Sequence, residues 1–88
     1  MDIEWDKTKA MTNVEKHGVS FADAATALND PLSVTIAEDT STDEERFVNI
    51  GIDLLGHILV VVYTYRGKNI RIISARRATN NERRQYGE

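Results

Sequence analysis

The chain of 88 residues contains no cysteine, which excludes a disulfide framework and any thiolate metal site. Its first residues, MDIEWDK, lack a basic segment leading into an apolar one, so a secretory leader is not expected. No apolar run approaches the roughly 20 residues that cross a bilayer, which excludes a membrane-spanning helix. Proline occurs once and there is no repeat, low-complexity tract or linker. Basic residues are scarce over most of the length: residues 1–65 hold 4 Lys+Arg against 12 Asp+Glu. What remains is a single domain, 1–88, expected in the cytosol and without a cofactor. At this size about 60% of the unfolded surface is buried, which leaves little stability to spare.

The charge balance reverses near the end. Residues 66–88 hold 7 Lys+Arg against 2 Asp+Glu, and six of those cations are arginine. Arginine's planar fork matches phosphate, so a polyanion is a fitting ligand for the C-terminal quarter; a solvated surface that pairs with the acidic remainder explains the same charges.

Those cations sit on the most apolar stretch, His57 to Arg77 (HILVVVYTYRGKNIRIISARR). It reads as a β-hairpin turning at Gly67-Lys68, where glycine supplies the positive φ of a tight turn. That turn predicts Thr64 opposite Arg71, Val62 opposite Ile73 and Leu59 opposite Arg76. Strict alternation then puts His57, Leu59, Val61, Tyr63, Tyr65, Ile70, Ile72, Ser74 and Arg76 on one face. Ile58, Val60, Val62, Thr64, Arg71, Ile73, Ala75 and Arg77 take the other. The second set has the cleaner apolar centre and is expected to receive the helices, leaving the first to present His57, Tyr63, Ser74 and Arg76 outward.

Upstream, Asp2 to Trp5 alternates as a short edge strand with Ile3 and Trp5 facing in. Asp6 is placed to cap a helix over about Lys7 to His17, with Ala10, Met11 and Val14 as its buried stripe and Gly18 ending it. Ser20 and Asp23 fit a capping box for a second helix, Phe21 to Leu28, with Phe21, Ala24, Ala25 and Leu28 on one face, closed by Asn29-Asp30-Pro31. Strands are expected at Leu32 to Ala37 and Phe47 to Asp53. The acidic stretch between them, Glu38 to Glu45, lacks the ligand spacing and glycine of a calcium loop and is read as a plain loop. Thr79-Asn80-Asn81-Glu82 is a capping box for a last short helix reaching about Tyr86.

Taken in order, Trp5-Asp6, Lys9-Ala10, Lys16-His17-Gly18-Val19-Ser20-Phe21, Glu45-Arg46, Tyr63-Thr64 before Arg66, and Arg71-Ile72-Ile73-Ser74-Ala75-Arg76 resemble the BrnT family of toxins from bacterial type II toxin-antitoxin systems. The resemblance runs along nearly the whole chain. It implies a RelE/ParE-like α+β fold, with two N-terminal helices on a small twisted, mainly antiparallel sheet and a short C-terminal helix. It further implies a ribonuclease that blocks translation, neutralised by a BrnA-like ribbon-helix-helix antitoxin. Promoter DNA would be reached only through that antitoxin.

If RNA is the substrate, cleavage without a metal uses the 2′-hydroxyl as nucleophile on the adjacent phosphate. The site must move two protons and stabilise the added charge on phosphorus. His57 is the leading candidate for proton transfer, since unperturbed imidazole titrates near neutrality. Arg71 and Arg76 are candidate transition-state stabilisers and Tyr63 a candidate donor. Arg66, Lys68, Arg77, Arg83, Arg84 and Tyr86 are candidate phosphate or base contacts. Two alternatives stay open: a toxin that poisons DNA gyrase by binding, and a chain that only pairs with its antitoxin as a co-repressor. The antitoxin is expected to cover part of the cationic face.

Overall fold

Three side chains start the three helices. Asp6 Oδ1 accepts from the Lys9 amide at 3.0 Å, opening α1 (Lys7–His17), and Ser20 Oγ accepts from the Asp23 amide at 3.1 Å, opening α2 (Phe21–Leu28). Thr79 and Glu82 form a reciprocal box that opens α3 (Asn80–Tyr86). Each cap satisfies an amide that the helix itself leaves free. The structure is a computed structural model and describes residues 2–39 and 44–87.

The strands are β1 (Ile3–Glu4), β2 (Val34–Asp39), β3 (Arg46–Ile52), β4 (Ile58–Arg66) and β5 (Asn69–Arg77), in the order β1-β5-β4-β3-β2. From β2 to β5 the sheet is an antiparallel meander, and β1 adds in parallel beside β5. The fold is therefore α+β with a mixed sheet. Glu38 and Asp39, expected in the acidic loop, instead extend β2 against Phe47 and Arg46. The rest of that expected loop falls partly on residues 40–43, outside the described residues.

The central strands bury both faces. Leu59, Val61, Ile72 and Ala75 pack with Val19, Phe21, Ala24 and Ala27 of the N-terminal helical region. On the other side Ile50, Ile58 and Val60 pack with Val48, Ile52, Ala78 and Tyr86, where α3 lies. Each large aliphatic side chain buried this way contributes about 1.5–3 kcal/mol. The close approach of α2 to the sheet is set at Gly51: a Cβ there would stand 2.3 Å from the Ala27 carbonyl oxygen.

This arrangement corrects the predicted faces of the hairpin. Thr64 does face Arg71, as the Gly67-Lys68 turn requires, but the register shifts between Val62 and Tyr63. Ser74, not Ile73, faces Val62, and Arg77, not Arg76, faces Leu59. Ile73 is the extra residue of a β-bulge, which reverses the parity of everything after it. Ala75 and Arg77 thereby join the face of Leu59 and Val61, and Ser74 and Arg76 join that of Val60 and Val62. The helices α1 and α2 cover the face expected to be open. The apolar contrast within the hairpin could not choose between faces because α3 covers the other one.

The stripe expected on α1 is also displaced. Met11 and Val14 are 68% and 47% exposed, whereas Asn13 is 5% exposed. Asn13 Nδ2 donates to the carbonyls of Ala75, at 2.8 Å, and Val19, at 2.9 Å, and its Oδ1 accepts from the Ala75 amide at 3.0 Å. The strand β1 reaches only Ile70 and Arg71, so β5 beyond them has an unpaired edge. A carboxamide, with a donor and an acceptor side by side, satisfies that edge where an apolar residue would leave it bare. Trp5, Ala10, Met11, Val14 and Phe21 instead line an open apolar groove.

Candidate active site

At one end of the sheet the chain passes from β3 to β4 through Asp53-Leu54-Leu55-Gly56-His57. Asp53 organises this turn. Its amide donates to the His57 carbonyl at 2.9 Å, and its Oδ1 accepts from the amides of Leu55 and His57 at 2.9 and 2.8 Å. Gly56, at φ 87°, lets the chain reverse. These bonds hold a carboxylate whose side chain is only 2% exposed, with Oδ2 placed 3.5 Å from Nδ1 of His57.

The other ring nitrogen, Nε2, lies 3.3 Å from Nη2 of Arg77. A guanidinium has donors and no acceptor, so Nε2 is the acceptor in this contact. The neutral ring then carries its proton on Nδ1, toward Asp53. A buried carboxylate, a 39% exposed imidazole and an exposed guanidinium thus stand in line, with a basic nitrogen beside a fixed positive charge. Such a unit can take a proton from a hydroxyl whose neighbouring phosphate the guanidinium holds. The bulge at Ile73 makes this line, since it brings Arg77 to the face of Leu59, two residues after His57.

The other candidates are dispersed. Arg76, on the opposite face, forms a two-pronged pair with Glu82 at 2.7 and 2.8 Å. Hydrogen bonding from Arg76 holds the Glu82 carboxyl down to about 2, and the same bonds hold the guanidinium above its ordinary range. Tyr63 is buried, stacked on Phe47 with ring centroids 5.5 Å apart. Burial pushes its phenol up, with Tyr65 adding to the shift. Six residues of strand, roughly 20 Å, separate it from His57. The expected grouping of His57 with Tyr63 and Arg76 therefore does not form.

Arg71 lies 4.0 Å from the Asp6 carboxylate, on the face away from α2. Arg66 and Lys68 are exposed at the hairpin tip. On α3, Arg84 donates to Asn81 Oδ1 at 2.9 Å, and Arg83 is engaged as well. The Tyr86 hydroxyl donates to Asp30 Oδ2. Burial alone would raise the Asp30 carboxyl, but this bond and those from the Ile52 and Leu32 amides outweigh it and hold it below its usual range. Among the described residues no group of three or more His, Asp or Glu is placed to hold a metal ion.

Sequence reasoning missed Asp53. The signal available was an aspartate four residues before His57 and three before a turn glycine, a spacing at which a carboxylate caps its own turn. It missed Asn13 too, whose position in mid-helix, unfavourable for asparagine, was the clue.

The comparisons with known proteins bear on the family and the fold. Residues 5–82 match the family model described as the ribonuclease toxin, BrnT, of type II toxin-antitoxin systems. The fold is similar to the 1.1 Å crystal structure of the Brucella abortus ribonuclease toxin BrnT, with a TM-score of 0.71 and 29% identity over 91% of this chain and 99% of that one. The comparison with curated proteins finds no match. Among the described residues no helix is long and apolar enough to cross a membrane.

Proposed function

The chain belongs to the BrnT family of ribonuclease toxins of type II toxin-antitoxin systems, and from that premise we propose that it is a metal-independent endoribonuclease whose chemistry is carried by His57 and Arg77. Nε2 of His57 accepts the proton of the substrate's 2′-hydroxyl as that oxygen bonds to the adjacent phosphorus. Arg77 turns its donors to the non-bridging oxygens of the phosphorane. The imidazolium, facing the Asp53 carboxylate, then returns the proton to the departing 5′-oxygen as the P–O5′ bond breaks. The products are a 2′,3′-cyclic phosphate and a 5′-hydroxyl.

The observation that carries this reading is the contact of Nε2 with Arg77 on one side and of Nδ1 with Asp53 on the other. Arg66, Lys68 and Arg71 extend phosphate binding along the hairpin. Arg76 and Tyr63, tied to Glu82 and packed on Phe47, serve the sheet rather than the reaction. Cleavage of cytoplasmic RNA halts translation. A BrnA-like ribbon-helix-helix antitoxin neutralises the toxin by covering the cationic end of the hairpin.

Purified protein incubated with RNA in EDTA provides the test. Cleavage should persist, fall about 10²–10⁴-fold in His57→Gln and about 10²–10³-fold in Arg77→Ala, and survive in Asp23→Ala, a residue outside the site. Intact RNA together with inhibited gyrase supercoiling would mark a binding toxin instead.

A further inference from the structure

A second concavity, of about 270 Å³, lies between α1 and the free edge of β5. Its walls include Thr8, Lys9, Thr12, Lys16 and His17 of α1 and Ile73 and Ser74 of β5. Among the described residues no carboxylate lines it. In a chain with net charge −3 that is a marked local departure.

The groove follows from features already described. β1 stops pairing at Arg71, which leaves the β5 edge open, and Ile73 and Ser74, at the bulge, border the groove along that edge. Asn13 fixes the helix beside that edge through Ala75. Lys9, Thr12 and Lys16 fall at helical spacings of three and four, so one side of α1 carries two ammonium groups with a hydroxyl between them. Lysine binds phosphate as a point charge; the Thr12 hydroxyl already donates to the Thr8 carbonyl at 3.1 Å, which leaves the Thr8 hydroxyl to supply a directional hydrogen bond. Asn13 of the groove wall is bonded to Ala75, which lies two residues before Arg77 on the same face, about 7 Å along the strand, so groove and His57–Arg77 pair can be followed by one strand of nucleic acid.

We propose that this groove binds the backbone phosphates of single-stranded RNA next to the scissile linkage, with Lys9 and Lys16 as its principal contacts. The assignment rests on the ribonuclease reading for the identity of the polyanion. It adds a substrate-positioning surface that the reacting groups do not include. Contacts of this kind carry affinity without base preference, and they weaken steeply with salt.

The experiment is fluorescence anisotropy with a fully 2′-O-methylated RNA oligonucleotide, which has no nucleophile and cannot be cut, titrated with the full chain at several KCl concentrations. Lys9→Ala and Lys16→Ala should each weaken binding about 3–10-fold and lower the slope of log K against log salt by about 0.7. Lys7→Ala, the same charge change on the same helix but outside the groove, should stay within about twofold. Groove variants that bind like Lys7→Ala, or a wild-type chain that does not bind the oligonucleotide, would overturn the proposal. The same holds if the groove variants lose the antitoxin while keeping RNA. Groove-dependent binding with no cleavage of ordinary RNA would leave the groove standing and remove the ribonuclease reading.

Discussion

The side chain of Asn13 pairs with the backbone of Ala75 as a neighbouring strand would, giving its Nδ2 to the carbonyl and taking the amide on Oδ1, across 62 residues of sequence. A third bond, to the Val19 carbonyl, uses the second N–H of this buried carboxamide.

Replacing it by alanine strands two backbone groups of Ala75 and one of Val19 away from water. Asn13→Ala is therefore expected to lower stability by about 2–4 kcal/mol. In a chain of this length each kcal/mol moves the melting temperature by about 4–8 °C. Urea titration against Met11→Ala checks it, since Met11 is exposed and should change stability little.

Acid should loosen α3. The Glu82 carboxyl is held at about 2 by Arg76, against an ordinary 4.5, so the folded protein binds that proton less readily than the unfolded chain does. The contribution is complete above about pH 4.5 and is lost as pH falls toward 2. Solvent around the 42% exposed Arg76 side chain reduces it to about 1–2 kcal/mol. Stability measured from pH 6 to 2.5 should lose this component in Glu82→Gln, with a correspondingly flatter profile.

Gly51 has no room for a side chain. An alanine Cβ would meet the Ala27 carbonyl oxygen at 2.3 Å, backbone against backbone, so either α2 or β3 must move. Gly51→Ala should cost about 3 kcal/mol, readable as a lower midpoint in chemical denaturation. Gly56→Ala, where open space surrounds the position, carries only the strain of its positive φ and should cost less.

Asp53→Asn separates the turn from the chemistry. Its amide oxygen can still accept from Leu55 and His57, so the melting temperature should move little. With an amide NH2 in place of the carboxylate oxygen, Nδ1–H faces a donor instead of an acceptor and the imidazolium loses its counter-charge, so cleavage should fall at least about 10-fold. Ring nitrogen-15 shifts of His57 would move in this variant and stay put if Asp53 only shaped the turn.

Local chemistry made much of this fold legible. Asp6, Ser20 and Thr79 announced the helix starts, and Gly67 announced the turn, because caps and tight turns are decided by a few adjacent residues. The resemblance carried by Lys16 to Phe21 and Arg71 to Arg76 led to the family. The bulge was not legible: Ile73 is one β-branched residue among several, and nothing around it marks it as the one left over. That single residue decided whether Arg76 or Arg77 would stand by His57. Met11 and Val14 misled for a different reason. Their spacing is helical, but α1 meets a strand edge that needs hydrogen bonds, and the residue chosen for that work is polar.

The pairing of β1 with β5 joins residue 3 to residue 70. Two-residue β1 cannot persist alone, and α1 has no anchor until Ala75 exists to receive Asn13. The groove beside α1 is thus among the last features to form, since loops this long close late. During synthesis the N-terminal helices emerge first with nothing to pack on. If the proposed mechanism holds, a ribosome translating this message is not exposed to a working site on its own unfinished product, and a chain terminated before Arg77 should not cut.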